Sequence, residues 1–129
     1  MTHWTSKYIG QPWTESCDCG EWFRRIQAEV FGRDVPPIII DHARLTLSAA
    51  RAMAGNIASK YGWNITDEPK DGDAVFLSQR NRPHHIGTVT FIDGRLQIIH
   101  ALEGVGIVLS DLQNLKINYW RIAGFYSCR

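Results

Sequence analysis

The Asp93-Gly94 step most constrains this chain, because it separates two runs of β-forming residues, 86–92 and 96–101. Such a pair accepts the positive φ angles of a two-residue type I′ turn, the strongest short-range hairpin signal. With Asp93 and Gly94 as the turn, Ile92 faces Arg95 and every cross-strand pair follows by counting. His100 then stands opposite Gly87, and His85 lies two residues along on the same face. A three-residue turn would shift the register by one and put the two histidines on opposite faces.

Period-two patterning extends on both sides of the hairpin. Asp71-Gly72 marks a turn before a strand at 74–77, and strands are expected at 106–109 and 119–126. A helical turn is expected around 110–115. The first half reads differently. Apolar residues Trp22, Phe23, Ile26, Val30 and Phe31 recur at helical spacing, predicting a helix over 19–31. Asp18 is its N-cap, Glu21 has the position a capping box prefers, and Gly32 stops it. A second helix is expected over 42–60, capped by Asp41 and ended by Gly62. Residues 1–16 read as a short helix or irregular arm packed by Trp4, Tyr8 and Trp13. Helices first and strands afterwards predict an α+β fold, with N-terminal helices on an antiparallel sheet of about five strands.

A chain of 129 residues with 44% hydrophobic and 21% charged residues suits one domain spanning 1–129 with a single core. Fourteen basic against thirteen acidic residues leave a formal charge of +1, so nothing electrostatic points to nucleic acid. No apolar stretch has the length to span a bilayer, and residues 1–7 have no apolar signal core. The expectation is a product made in the cytoplasm without a signal peptide and without membrane insertion.

Cys17, Cys19 and Cys128 are an odd number of cysteines, which argues against a disulfide framework and for asking whether one thiol has chemistry. Cys19 opens the first helix, where unpaired amides and the positive end of the macrodipole favour thiolate over thiol. The same amides suit an oxyanion. A thiol nucleophile needs a base, and His85 with His100 on one hairpin face supplies a base and a partner that orients it. Other readings stay open at this point. The cysteine can be structural, or Cys17, Cys19, His85 and His100 can hold a metal, although Cys-x-Cys departs from zinc-site spacing.

Taken in order, Tyr8-Ile9-Gly10-Gln11-Pro12-Trp13, Asp18-Cys19, His85-Ile86-Gly87 and Ile99-His100-Ala101 resemble the motifs of NlpC-type papain-like cell-wall cysteine peptidases. The segments 100–109 and 120–126 are similar to the phage tail-associated branch of that family. The resemblance implies a papain-like fold, with Cys19 as nucleophile, His85 as base and His100 as the third, polar member. It implies a peptidoglycan stem peptide as substrate, no cofactor or metal, phage tail-tip proteins as partners, and a place in the virion with action at the bacterial cell wall. Gly20-Glu21 departs from the family pattern, which has glycine where Glu21 stands. An acid there is expected to raise the thiol pKa, and it favours the alternative of an inert structural tail-tip component with the same fold.

Overall fold

Asp18 starts the first helix, α1 (Cys19–Phe31), by accepting the Glu21 amide at 3.0 Å on its side chain. Gly32 ends it in the left-handed region, at φ 64°. One face of α1 is apolar and buries Cys19, Trp22, Phe23 and Ile26. Gln27 is fully buried on the same helix. Its Nε2 donates to the Gly72 carbonyl at 2.9 Å, and Arg33 Nη1 donates to Gln27 Oε1 and to that same carbonyl. Both amide ends of Gln27 are thereby partnered, and α1 is tied to the Asp71-Gly72 turn that leads into the sheet.

In the computed structural model, which describes residues 3–35, 62–79 and 82–128, six strands form one antiparallel sheet. They are β1 (Trp63–Thr66), β2 (Ala74–Gln79), β3 (Arg82–Ile92), β4 (Arg95–Leu102), β5 (Gly106–Asp111) and β6 (Arg121–Cys128), in the order β1-β6-β2-β3-β4-β5. A short second helix, α2 (Leu112–Ile117), joins β5 to β6. The architecture is α+β, as the helix-then-strand pattern predicts. The expected helix over 42–60, with Asp41 as its cap, lies outside the described residues.

The β3–β4 register is the one counted from the two-residue turn: Ile92 pairs with Arg95, Val89 with Ile98 and Thr88 with Ile99. Asp93 and Gly94 have φ of 52° and 76°, the signs a type I′ turn demands. Strands β2 to β5 each run past their expected bounds, and three further features differ from expectation. The sheet has six strands rather than about five, because Trp63–Thr66 pairs with β6. This strand buries only Trp63 and leaves Ile65 exposed, so its side chains carry no inward–outward alternation to read. The helical turn begins at Leu112 rather than Ser110. Asp111 and Asn114 form a reciprocal capping box there, and Ser110 stays in β5, paired with Ile98. The last strand begins at Arg121 rather than Tyr119, because Tyr119 ends α2.

The sheet separates two apolar layers. Phe76, Ile86, Ile99 and Ile107 face α1, while Val75, Leu77, Val89 and Ile98 pack with Leu115 on the other side. The N-terminal arm, with a 3-10 turn at Trp4–Lys7, is strapped to the β5 edge. Gly10 N–H donates to the Ile107 carbonyl and Ile107 N–H donates to the Gln11 carbonyl, both at 2.9 Å. Only glycine fits at position 106, where φ is 100° and a Cβ would lie 2.6 Å from the Gln11 oxygen. No helix among the described residues is long and apolar enough to cross a membrane.

The end of α2 is a Schellman motif with tyrosine in the glycine position. Tyr119 N–H donates to the Lys116 carbonyl and Trp120 N–H to the Leu115 carbonyl, with Tyr119 at φ 63°. A bulky side chain in that region is strained by about 1 kcal/mol or more, and the Tyr119 side chain is largely exposed, so it recovers little by packing. Tyr119→Gly is therefore expected to raise stability by about 1 kcal/mol in urea unfolding, whereas Tyr119→Val lowers it.

Candidate active site

The β3–β4 ladder stops at Thr88–Ile99, although both strands run on past that pair. Val89 N–H donates to the Asp73 carbonyl and the Val89 carbonyl accepts from Gly72, both toward the β2 side. Backbone direction alternates along an antiparallel strand, so Ile86 and Thr88 aim their amides the other way, toward β4. Beyond Thr88 the Ile86 amide thus points into a gap between the two strands. The Cys19 sulfur fills that position and takes a hydrogen bond from Ile86 N–H. Amides of Gly20 and of Cys19 itself also point at the sulfur, as expected in the first turn of a helix. A small cleft follows the gap, lined by Cys19, Ile86, Gly87, Ile99, His100 and Ala101 among others.

His85 and His100 meet on the face of the sheet away from α1, next to that gap. His85 Nε2 and His100 Nδ1 share a proton across 2.8 Å, with ring centroids 5.0 Å apart. Gly87 makes this approach possible. A Cβ there would stand 2.8 Å from Ile98 Cγ2, 3.0 Å from the Ile99 oxygen and 3.1 Å from His100 Cβ. His100 continues through Nε2 to Ser110 Oγ at 2.9 Å. Trp120 stacks on the His85 ring at 4.8 Å with 28° between planes, and it meets His100 edge-on. The Schellman motif sets the position of that indole.

Of the three residues expected from sequence, the structure joins His85 and His100 directly. It brings Cys19 to the residue that follows His85 and to the cleft bordered by His100. Sequence reasoning missed Ser110 and Trp120. Ser110 was within reach: with Glu103, Gly104 and Val105 as the turn, Leu102 pairs with Gly106 and Ile98 with Ser110. That register places Ser110 diagonal to His100 on one face. Among the described residues no group of three or more His, Cys, Asp and Glu could hold a metal ion, and Cys17, Cys19 and Cys128 are free thiols.

Electrostatics correct one expectation. The helix start was expected to favour a Cys19 thiolate, yet its pKa is pushed up from 9.0 to about 12, chiefly by burial and further by Asp18, against the three amides. Magnitudes explain the outcome. A helix terminus is worth about 0.3–1 kcal/mol, whereas a rise from 9 to about 12 corresponds to about 4 kcal/mol. Cys19 rests as a neutral thiol. The expected effect of Glu21 also falls elsewhere: its carboxylate pairs with Arg24 at 2.8 Å and its charge acts on Cys17, whose pKa is raised mainly by burial. Burial likewise lowers the His100 pKa from 6.5 to about 4, so that ring is neutral at pH 7.

In comparisons with known proteins, no family model and no curated protein matches this chain.

These shifts set a pH dependence of stability. Between pH 6.5 and about 4 the unfolded chain binds a proton on His100 that the folded chain refuses, so acidification lowers stability by up to about 3 kcal/mol. Above pH 9 the unfolded Cys19 ionises while the folded one stays protonated until about 12, so stability also falls as pH rises. Urea unfolding at pH 4.5, 7 and 10 reads both arms. His100→Gln is expected to flatten the acid arm and Cys19→Ala to flatten part of the alkaline one.

Proposed function

We propose that the protein is a papain-like cysteine peptidase acting on peptidoglycan stem peptides, with Cys19 as nucleophile, His85 as base and His100 as the residue that orients it. One observation carries the reading. A buried imidazole pair, bonded at 2.8 Å, adjoins the gap where a helix-start thiol receives three backbone amides. Packing alone asks for none of these polar groups, since each is desolvated and must be partnered to be tolerated.

A neutral thiol fits general-base chemistry better than a preformed ion pair. The Cys19 sulfur attacks the substrate carbonyl carbon as its proton passes to His85 Nδ1, and a carbon–sulfur bond forms. Negative charge on the carbonyl oxygen is met by a backbone amide at the helix start. Collapse breaks the carbon–nitrogen bond, and His85 gives the proton to the departing amine. Water then attacks the thioester carbon with His85 as base, the carbon–sulfur bond breaks, and the sulfur regains its proton. While protonated, the His85 ring lies on the Trp120 face, an arrangement that suits a cation.

The substrate class, the phage tail and virion setting and the tail-tip partners rest on the motif resemblance. A second reading, an inert tail-tip component of the same fold, is favoured by a different observation: Cys19 is 1% exposed, so substrate reaches the sulfur only through movement at the cleft.

Incubating the full chain with purified peptidoglycan and defined muropeptides, with mass spectrometry of the products, separates the two. The enzyme reading expects new peptide ends, with Cys19→Ala and His85→Ala each slowing release by on the order of 10³-fold or more. Intact muropeptides would leave the inert component as the reading, and cleavage that persists in Cys19→Ala would overturn Cys19 as the nucleophile.

A further inference from the structure

We propose that residues 9–16 are a latch over Cys19, whose release frees Trp22 and the Ile107 edge so that substrate reaches the thiol. The inference rests on the Cys19 reading above and deepens it, and its test reads access to the thiol separately from cleavage.

Cys19 is 1% exposed. The cleft beside it is walled by Trp22 and Phe23 of α1, by Ile86 and Ile99 of the central strands and by Ile107 of β5, among others. Most of that wall is built into the fold. Phe23 and Ile26 sit in the core cluster, and Gln27 ties α1 to the Gly72 carbonyl. Ile86 pairs with Phe76, and Ile107 with Ala101, inside the sheet ladders. Parting these elements breaks the core.

Residues 9–16 are bound differently. The stretch begins after Tyr8, which is 3% exposed and donates its hydroxyl to Glu29 Oε1 at 2.6 Å. It ends at Cys17, buried just before the helix cap. Between these anchors, residues 9–12 and 14–16 are exposed, and Trp13 is half-buried against the core cluster. Among the described residues, three hydrogen bonds join the stretch to the cleft wall. Gly10 N–H donates to the Ile107 carbonyl and Ile107 N–H to the Gln11 carbonyl, both at 2.9 Å. Trp22 Nε1–H donates to the Pro12 carbonyl at 3.0 Å.

Trp22 follows Cys19 by three positions on α1, so the two side chains are neighbours on the helix. The bond to Pro12 holds the indole beside the thiol. A segment with few buried side chains and exposed hydrogen bonds opens locally at less cost than the core it rests on. The stretch therefore lifts as a loop hinged at Tyr8 and Cys17, while α1 and the sheet keep their packing.

The three bonds are their own reporters. Hydrogen exchange of the Gly10 and Ile107 amides and of the Trp22 indole N–H reads their opening in the full chain. Exchange of the Val89 amide, bonded to Asp73 inside the sheet, reads global unfolding. Iodoacetamide labelling at pH 8 reads access to the thiol relative to the chain unfolded in urea, with fragment mass spectra separating Cys19 from Cys17. The expected result is that Cys19 and the three reporters are slowed by one factor, within about threefold, and Val89 by a further factor of about ten or more. Trp13→Ala removes the packed side chain, and Gly106→Ala sets a Cβ 2.6 Å from the Gln11 oxygen. Each should speed Cys19 labelling and the three reporters together, by about tenfold, with a smaller change at Val89. Cys19 protected as strongly as Val89 overturns the proposal, and that comparison needs no variant to fold. Faster reporters in a folded variant with an unchanged Cys19 rate overturn it equally. A chain whose thiol opens with the latch but cleaves no muropeptide counts against the proposed function and supports the latch.

Discussion

A single backbone amide organises this molecule's candidate chemistry. Ile86 N–H points toward β4, but the ladder has already ended at Thr88–Ile99, and a buried amide without a partner costs about 1–3 kcal/mol. The Cys19 sulfur supplies the partner. That contact joins the first turn of the helix to the end of the ladder, next to the residue that follows His85, while the apolar face of α1 and the Gln27–Gly72 hydrogen bond hold the helix on the sheet. The opposite face depends on the same parting of strands. His85 and His100 bond to each other there, and they reach hydrogen-bond distance only because position 87 has no Cβ.

Local chemistry was legible in the sequence wherever a short stretch decides its own backbone. Asp93-Gly94 chooses a turn type, the turn chooses the register, and the register brings His85 and His100 to one face. Asp18 and Gly32 bound the first helix for similar reasons, because caps act within a few residues. What escaped reading depends on distant partners. Trp63–Thr66 is a strand through its pairing with β6, and only one of its side chains is buried. Ser110 seemed part of a helical turn because the Asp111–Asn114 capping box, which keeps Ser110 in the strand, is a weaker signal than the apolar residues after it.

The state of the thiol was the least legible feature. Sequence position reports a helix start and the sign of its field, but not the fraction of the sulfur exposed to water. Desolvation and the helix field act in opposite directions on Cys19, and the larger one is visible only after folding. Glu21 teaches the same lesson. Two positions from Cys19 along the chain, its charge is directed to Arg24 and acts on Cys17 instead. Proximity in sequence is a poor guide to electrostatics when helix geometry sends neighbouring side chains in different directions.

These energies decide what kind of catalyst the arrangement can be. With a pKa near 12, ionising Cys19 alone at pH 7 costs about 7 kcal/mol. Burial thus disfavours a resting thiolate, and an attack by Cys19 moves the proton as the carbon–sulfur bond forms. That places the whole demand on the acceptor: it has to present a lone pair to the thiol and hold it there before substrate arrives. A lone imidazole would divide its time between tautomers and ring orientations. The stacked indole of Trp120 restrains the ring plane, and the hydrogen-bond line through His100 to Ser110 holds the ring in place. Burial, which makes the thiol inert by itself, makes that line strong, because hydrogen bonds screened from water hold their direction more firmly. The feature that argues for an inert protein and the feature that argues for an enzyme are thus one physical fact, desolvation at the gap between β3 and β4.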